Sequence, residues 1–163
     1  MPLLAGIVGF RGYSGQELAA ILHRHPGVEP ILMEHRSDSE DRPKPRSASG
    51  PRRVSADAAT VKSEGIGVVF LCTPPEVSMN LAPEYLAAGA RVIDLSGAFR
   101  LRTVDNYKQW YKEDHTQPKL LAEAVYGLPE FYRSAIPTAQ LLSNPGCYPT
   151  AANLALAPLV SAG

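Results

Sequence analysis

The first 25 residues limit most tightly what this chain can become. "LLAGIVG" (3–9) is an unbroken apolar run ending in glycine, the form of a strand buried on both faces of a parallel sheet. "GQELAAILHRH" (15–25) then carries Leu18, Ile21, Leu22 and His25 at helical spacing until Pro26-Gly27 ends the helix. Between them Gly9, Gly12 and Gly15 stand in a G-x-x-G-x-x-G arrangement. Glycines let such a turn be tight and bring backbone N–H groups close to a phosphate, and the helix start adds unpaired donors and a positive dipole end. Ser14 and Glu17 fit an S-x-x-E capping box at the helix start. Either a dinucleotide site or a merely tight strand-to-helix turn satisfies this pattern.

The alternation continues. "VEPILME" (28–34), "IGVVFLCT" (66–73), "ARVIDLS" (90–96) and the short "AQLLSN" (139–144) read as strands, and "PEVSMNLAPEYLAAG" (75–89) reads as a helix in spite of Pro83. Strand and helix in repetition predict an α/β fold: one doubly wound, mostly parallel sheet of the Rossmann type over residues 1–145. "SDSEDRPKPRSASGPRR" (37–53) has no apolar periodicity and is expected to be a long surface loop. "CTPPE" sets Thr73 three residues before Glu76, with Pro74 and Pro75 between, as a second capping box in a loop able to lie over a cofactor. Cys72, inside a buried run, reads as an inert core thiol.

Composition excludes more than it selects. Lys plus Arg and Asp plus Glu number 16 each, so no overall field favours nucleic acid or an anionic membrane, and "RPKPRSASGPRR" reads as a solvated loop. No apolar run approaches the ~20 residues that span a bilayer. The first residues lack the basic stretch of a signal peptide. Two cysteines make no disulfide framework, which suits a reducing cytoplasm. No metal-ligand motif is read.

The end of the second strand chooses between nicotinamide cofactors. An acid there bonds the ribose hydroxyls of NAD, and an Arg accommodates the 2′-phosphate of NADP. "LMEHRSDS" offers Glu34, then Arg36 and Ser37, and the guanidinium with a following hydroxyl predicts NADP.

"SNPGCYPT" (143–150) places Cys147 where an alanine-rich helix begins, marked by Pro149. N–H groups at a helix start favour a thiolate and hold an oxyanion formed when sulfur attacks a carbonyl. Gly146 lets a substrate approach the backbone, and Asn144 offers a side-chain donor. The turn follows a strand, on the carboxyl edge where the glycine turn also lies.

"GFRGYSGQEL", "VFLCTPPEVS", "VIDLSGAFRL", "AVYGLPE" and "NPGCYPTA" together resemble the N-acetyl-gamma-glutamyl-phosphate reductases of arginine biosynthesis, relatives of aspartate-semialdehyde dehydrogenase. The resemblance runs from Leu3 to the last residue. It implies NADPH-dependent reduction of a small acyl phosphate to an aldehyde through a cysteine thioester, in a protein that is a homo-oligomer when full length. It assigns Cys147 as nucleophile, Arg100 and Ser96 to the substrate phosphate, and Gly9, Gly12, Tyr13, Ser14 and Gly15 to the cofactor turn. It matches Arg36 and Ser37 to the 2′-phosphate pocket, while Thr73 and Pro74 are expected at the cofactor from their own loop, which is able to lie over it. The family has a second, α+β catalytic domain with a catalytic histidine. Here residues 146–163 are expected to hold only its cysteine turn and first helix. His23, His25, His35 and His115 all precede Cys147, so none matches that base, and the chain is expected to be an inactive fragment. Two rivals remain: a sister reductase of lysine biosynthesis acting on a carrier-linked aminoadipyl phosphate, and a non-catalytic Rossmann-type binding module.

Overall fold

A computed structural model describes residues 1–35 and 51–163. Strand β1 (Leu3–Val8) lies inside a seven-stranded sheet with β2 (Val28–Glu34), β3 (Arg53–Ser55), β4 (Val68–Leu71), β5 (Arg91–Asp94), β6 (Val125–Tyr126) and β7 (Leu141–Ser143). Their order is β3-β2-β1-β4-β5-β7-β6, and every pairing is parallel. The chain therefore runs outward from β1 in one direction, returns, and runs outward in the other. Such a reversal opens a crevice at the carboxyl ends of the two strands where it occurs, here β1 and β4.

The helices are α1 (Tyr13–His23), α2 (Ala58–Glu64), α3 (Pro75–Ala87), α4 (Val104–Tyr111), α5 (Pro118–Glu123), α6 (Pro129–Tyr132) and α7 (Cys147–Ala162). One sheet face carries the larger core. Val8, Ile31, Met33, Val69, Leu71, Val92 and Leu141 meet Val61, Met79, Tyr85, Tyr107 and Leu121 from α2 to α5. The opposite face packs Ala5, Ile7, Leu32 and Val68 against Phe10 and Leu22. Continuous apolar runs in β1 and β4 follow from this two-sided burial. Among the described residues no helix is long and apolar enough to cross a membrane.

Several expectations need correction. The first helix starts at Tyr13, with Gly12 as its N-cap and no side-chain cap, so Ser14 and Glu17 form no capping box and Ser14 lies exposed within the helix. The N-cap of α3 is Pro74, whose side chain has no acceptor, and the Thr73 hydroxyl pairs instead with that of Ser78 at 2.9 Å, so Thr73 and Glu76 form no capping box. The loop expected over 37–53 falls mostly outside the described residues, and Arg53, its last residue, opens β3. The strand ending at the cysteine turn is the seventh, because β3 and β6 were not read as strands. The expected doubly wound, mostly parallel sheet is found, and among the described residues every pairing is parallel.

Candidate active site

Backbone crowding shapes the glycine turn. Gly9 adopts φ +75°, and a Cβ there would collide with the carbonyl of Cys72, on the neighbouring strand's end. At Gly15 a Cβ would lie 2.5 Å from the Gly9 oxygen and 2.6 Å from the Phe10 Cα. Both glycines let α1 sit tightly against the strand ends. Gly12 differs: φ is −74° and the nearest atom to a Cβ would be the Gly9 oxygen at 3.5 Å. Its room is open toward a cleft of about 160 Å³ lined by Gly9, Gly12, His35, Cys72, Thr73, Pro74 and Val77. The turn and the "CTPP" loop thus line one cleft, with the first N–H groups of α1 lacking intrahelical acceptors. Tyr13 is exposed at the helix start. A glycine-walled cradle at a helix N-terminus, on a switch-point crevice, fits a dinucleotide pyrophosphate.

At the end of β2, Glu34 is held by Arg11 at 3.2 Å and by Arg53 at 3.6 Å, and both guanidinium groups lie 5.5 Å from the centre of the Phe10 ring. Neither arginine was picked out in the sequence, because β2–β3 pairing is what brings Arg53 there. Arg36 and Ser37 lie outside the described residues.

Cys147 is the first residue of α7 and is exposed, with Gly146 as N-cap. The N–H groups of Cys147 and Tyr148 belong to the unpaired first turn, Pro149 has none, and Thr150 donates to Gly146 at 3.0 Å. Arg100 reaches this turn from the loop after β5. Its Nε donates to the Asn144 carbonyl and its Nη2 to the Leu95 carbonyl, each at 3.0 Å. Its Nη1 lies so near Gly146 that a Cβ there would be 3.2 Å away. Two of the five guanidinium N–H groups are committed to backbone, leaving three for an anion. The Asn144 side chain donates to the Pro145 carbonyl at 3.2 Å, which occupies one of its amide hydrogens.

Ser96 behaves differently from the expectation of a phosphate contact. It is buried; its hydroxyl donates to Asp94 at 2.9 Å and accepts from the Ala98 N–H at 3.0 Å. Asp94 itself is wholly buried, and that burial pushes its carboxyl above the usual range, against the opposing pull of its bonds to Ser96 and Ser78 and the charge of Arg100. Cys72 has its thiol pushed up to about 11, by burial first and by the Asp94 charge second, which keeps it protonated and inert.

His115, remote in sequence, holds the same loop. Its Nε2 donates to the Ala98 carbonyl at 2.9 Å while Nδ1 accepts from the Gln117 N–H at 3.0 Å, so the ring serves two backbone groups as one neutral tautomer. Burial lowers its pKa below 6.5, partly offset by the bond to Ala98. The unfolded chain therefore takes up this proton first as pH falls, and stability present at neutral pH is lost below about 6.5, down to the folded value. Urea unfolding at pH 7 and pH 5 should show that loss, and His115→Gln should flatten it. An equal pH slope in both proteins would assign the loss elsewhere.

Fold and site together define a nicotinamide-dinucleotide-binding α/β domain with an exposed thiol at the carboxyl edge of its sheet. The chain belongs to the semialdehyde dehydrogenase NAD-binding domain family, whose model matches residues 5–139. It is 45% identical over its whole length to N-acetyl-gamma-glutamyl-phosphate reductase of Symbiobacterium thermophilum, covering 48% of that protein. It is 46% identical over 97% of its length to the protein of that name in Ectopseudomonas mendocina, covering 47% of it. The chain thus spans about half the length of these relatives. In fold it matches aspartate semialdehyde dehydrogenase II of Vibrio cholerae with a TM-score of 0.65 at 19% identity, over 99% of this chain and 47% of that one. It also matches the Candida albicans aspartate semialdehyde dehydrogenase solved with NADP, with a TM-score of 0.64 at 16% identity, over 99% of this chain and 47% of that one. Among the described residues no three His, Cys, Asp or Glu side chains cluster to hold a metal.

Proposed function

We propose that this chain is the nicotinamide-binding half of a cytoplasmic, homo-oligomeric, NADPH-dependent N-acetyl-gamma-glutamyl-phosphate reductase. Residues 1–145 form the cofactor domain, and 146–163 open the catalytic domain. The single observation that carries the reading is the exposed Cys147 at the first position of α7, with the Arg100 guanidinium laid against the preceding glycine. Helix α7 buries none of its residues, which supports the domain division. The names of the relatives favour N-acetylglutamyl phosphate over the carrier-linked aminoadipyl substrate.

In this reading the Cys147 thiolate attacks the acyl carbon; a C–S bond forms, the bond from the acyl carbon to the phosphate oxygen breaks, and inorganic phosphate leaves. The N–H groups of Cys147 and Tyr148 receive the oxyanion. Arg100 binds the phosphate with the donors its backbone bonds leave free, and Asn144 adds its second amide hydrogen. A bound nicotinamide supplies the hydride that reduces the thioester. Collapse of the thiohemiacetal then breaks the C–S bond, frees the aldehyde and returns the thiolate. Gly9, Gly12, Gly15, Tyr13 and Ser14 hold the pyrophosphate, with Thr73 and Pro74 forming the facing wall.

NADP is favoured over NAD because Glu34, the residue placed for ribose hydroxyls, is already engaged by Arg11 and Arg53. Two guanidinium groups at the end of β2, with Arg36 and Ser37 following in sequence, suit a 2′-phosphate.

Arg100→Lys tests the site. A lysine cannot keep both carbonyl bonds and still present a fork to phosphate. In the full-length reductase KM for the acyl phosphate should rise about tenfold or more, as expected for lost charge-assisted bonds. NADPH affinity should hold. An unchanged KM would make Arg100 a purely structural tie.

A further inference from the structure

We infer that Asp94, at the carboxyl end of β5, is a positioning residue that sets the Arg100 guanidinium over the cysteine turn; the inference rests on the reading of Arg100 as the phosphate-binding group. Two carbonyls hold Arg100, those of Leu95 and Asn144. Asp94 fixes both. Its backbone carbonyl accepts from the Asn144 N–H at 2.8 Å, which ties the start of the cysteine turn to β5. Its carboxylate folds the next residues over itself: Oδ1 accepts from the Ser96 N–H at 3.1 Å and Oδ2 from the Ser96 hydroxyl at 2.9 Å. That hydroxyl in turn accepts from the Ala98 N–H. The path from β5 to Arg100 is thereby wrapped around one buried carboxylate.

On its other side Asp94 is steadied by Ser78, whose hydroxyl lies 2.9 Å from that of Thr73 in the cofactor-side loop. Ser78 and its partner Thr73 thus set the loop facing the dinucleotide beside the carboxylate that orders the loop carrying Arg100. Packing does not call for this acid. Val92, two residues back on the same strand face, is apolar and fully buried, and a buried charge contributes to stability no better than a well-fitted apolar side chain. What the carboxylate supplies and an apolar residue does not is a pair of acceptors at defined positions.

Charge and geometry predict opposite signs, which makes the role testable. Asp94 lies close enough to Arg100 for the two charges to interact. Removing the negative charge would, by Coulomb's law alone, strengthen anion binding and lower KM. Removing the acceptor loosens the loop and raises it. Asp94→Asn keeps shape and one acceptor oxygen but turns the other position into a donor facing the Ser96 hydroxyl.

The experiment is a double-mutant cycle of Asp94→Asn and Arg100→Lys in the full-length reductase, read as KM for the acyl phosphate, kcat and the NADPH dissociation constant. Expected is an Asp94→Asn KM about tenfold raised, NADPH affinity within about twofold of wild type, and a double variant no worse than Arg100→Lys alone. A KM unchanged or lowered by Asp94→Asn, or losses that multiply independently in the double variant, overturns the inference. A KM indifferent to Arg100→Lys overturns instead the reading on which it rests. Should Asp94→Asn not fold, Ser96→Ala cuts the same link between Asp94 and Ala98 and must raise KM in the same direction; an unchanged KM there sinks the inference equally.

Discussion

Replacing Cys147 with serine in the full-length reductase should abolish turnover while leaving NADPH bound as tightly as before, and more tightly than NADH. The expected loss is about 10⁴-fold or more in kcat, the scale seen when a covalent nucleophile is removed. A hydroxyl is far less ionised than a thiol near neutral pH, so almost none of the serine stands as the attacking anion. Cofactor affinity is spared because the dinucleotide cleft is built by the ends of β1 and β4, whereas Cys147 follows β7, with β5 between. Thiol labelling gives an independent reading on the chain itself. Iodoacetamide should modify the exposed Cys147 and leave Cys72 untouched until the protein unfolds, since burial holds the Cys72 thiol at about 11. Retained turnover in Cys147→Ser would end the thioester mechanism. Loss of NADPH binding in the same variant would mean that the cysteine turn shapes the cofactor cleft as well.

What was legible in the sequence was whatever a continuous apolar run or a glycine announces. β2 lies at the expected residues 28–34, and β1 at 3–8, because each is buried on both faces and flanked by residues that cannot continue it. The elements missed have no such run. β3 is Arg53, Val54 and Ser55, and gains strand form only by pairing with the end of β2. α4 buries Tyr107 alone, so its apolar stripe is one residue wide; its Thr103 cap, accepting from the Asn106 N–H at 3.2 Å, was the available signal. In the site the same division holds. Cys147 is marked by following a strand and opening a helix, Arg100 is pointed to by the family resemblance, and the structure brings the two to one turn. Asp94, Ser78 and His115 did not stand out, because an acid at a strand end, a serine in a helix and a lone histidine acquire their meaning from partners 2 to 17 residues away across folded backbone. The resemblance sets Ser96 at the phosphate, and in the structure its hydroxyl donates to Asp94 and accepts from the Ala98 N–H, which holds the loop.

The three glycines of the first turn should separate folding from binding when each is replaced by alanine. Gly9→Ala must force a side-chain-bearing residue into φ +75°, which costs about 1–2 kcal/mol, and drive its methyl into the Cys72 carbonyl, an overpacking that costs about 1–3 more. The obstacle is backbone of a central strand, so it cannot rotate aside as a side chain would. Gly15→Ala faces the Gly9 oxygen and Phe10 Cα at 2.5 and 2.6 Å, again backbone, and should suffer comparably although its φ is helical. Out of a total stability of roughly 5–15 kcal/mol this is a large share, and for a domain of this size it should lower Tm by about 5–15 °C. Gly12→Ala should behave otherwise. Its φ of −74° suits alanine, and the nearest atom, 3.5 Å off, is at ordinary contact distance, so Tm should stay within about 2 °C. Its methyl, however, would stand at the mouth of the cleft where the pyrophosphate must touch backbone, and dinucleotide affinity should fall about tenfold or more. Thermal melts and calorimetric titration with NADPH on the three variants decide the matter. If Gly12→Ala bound the cofactor normally, the phosphate would not lie on this turn. If Gly9→Ala were as stable as wild type, the strand ends of β1 and β4 would have to yield more than close-packed backbone can.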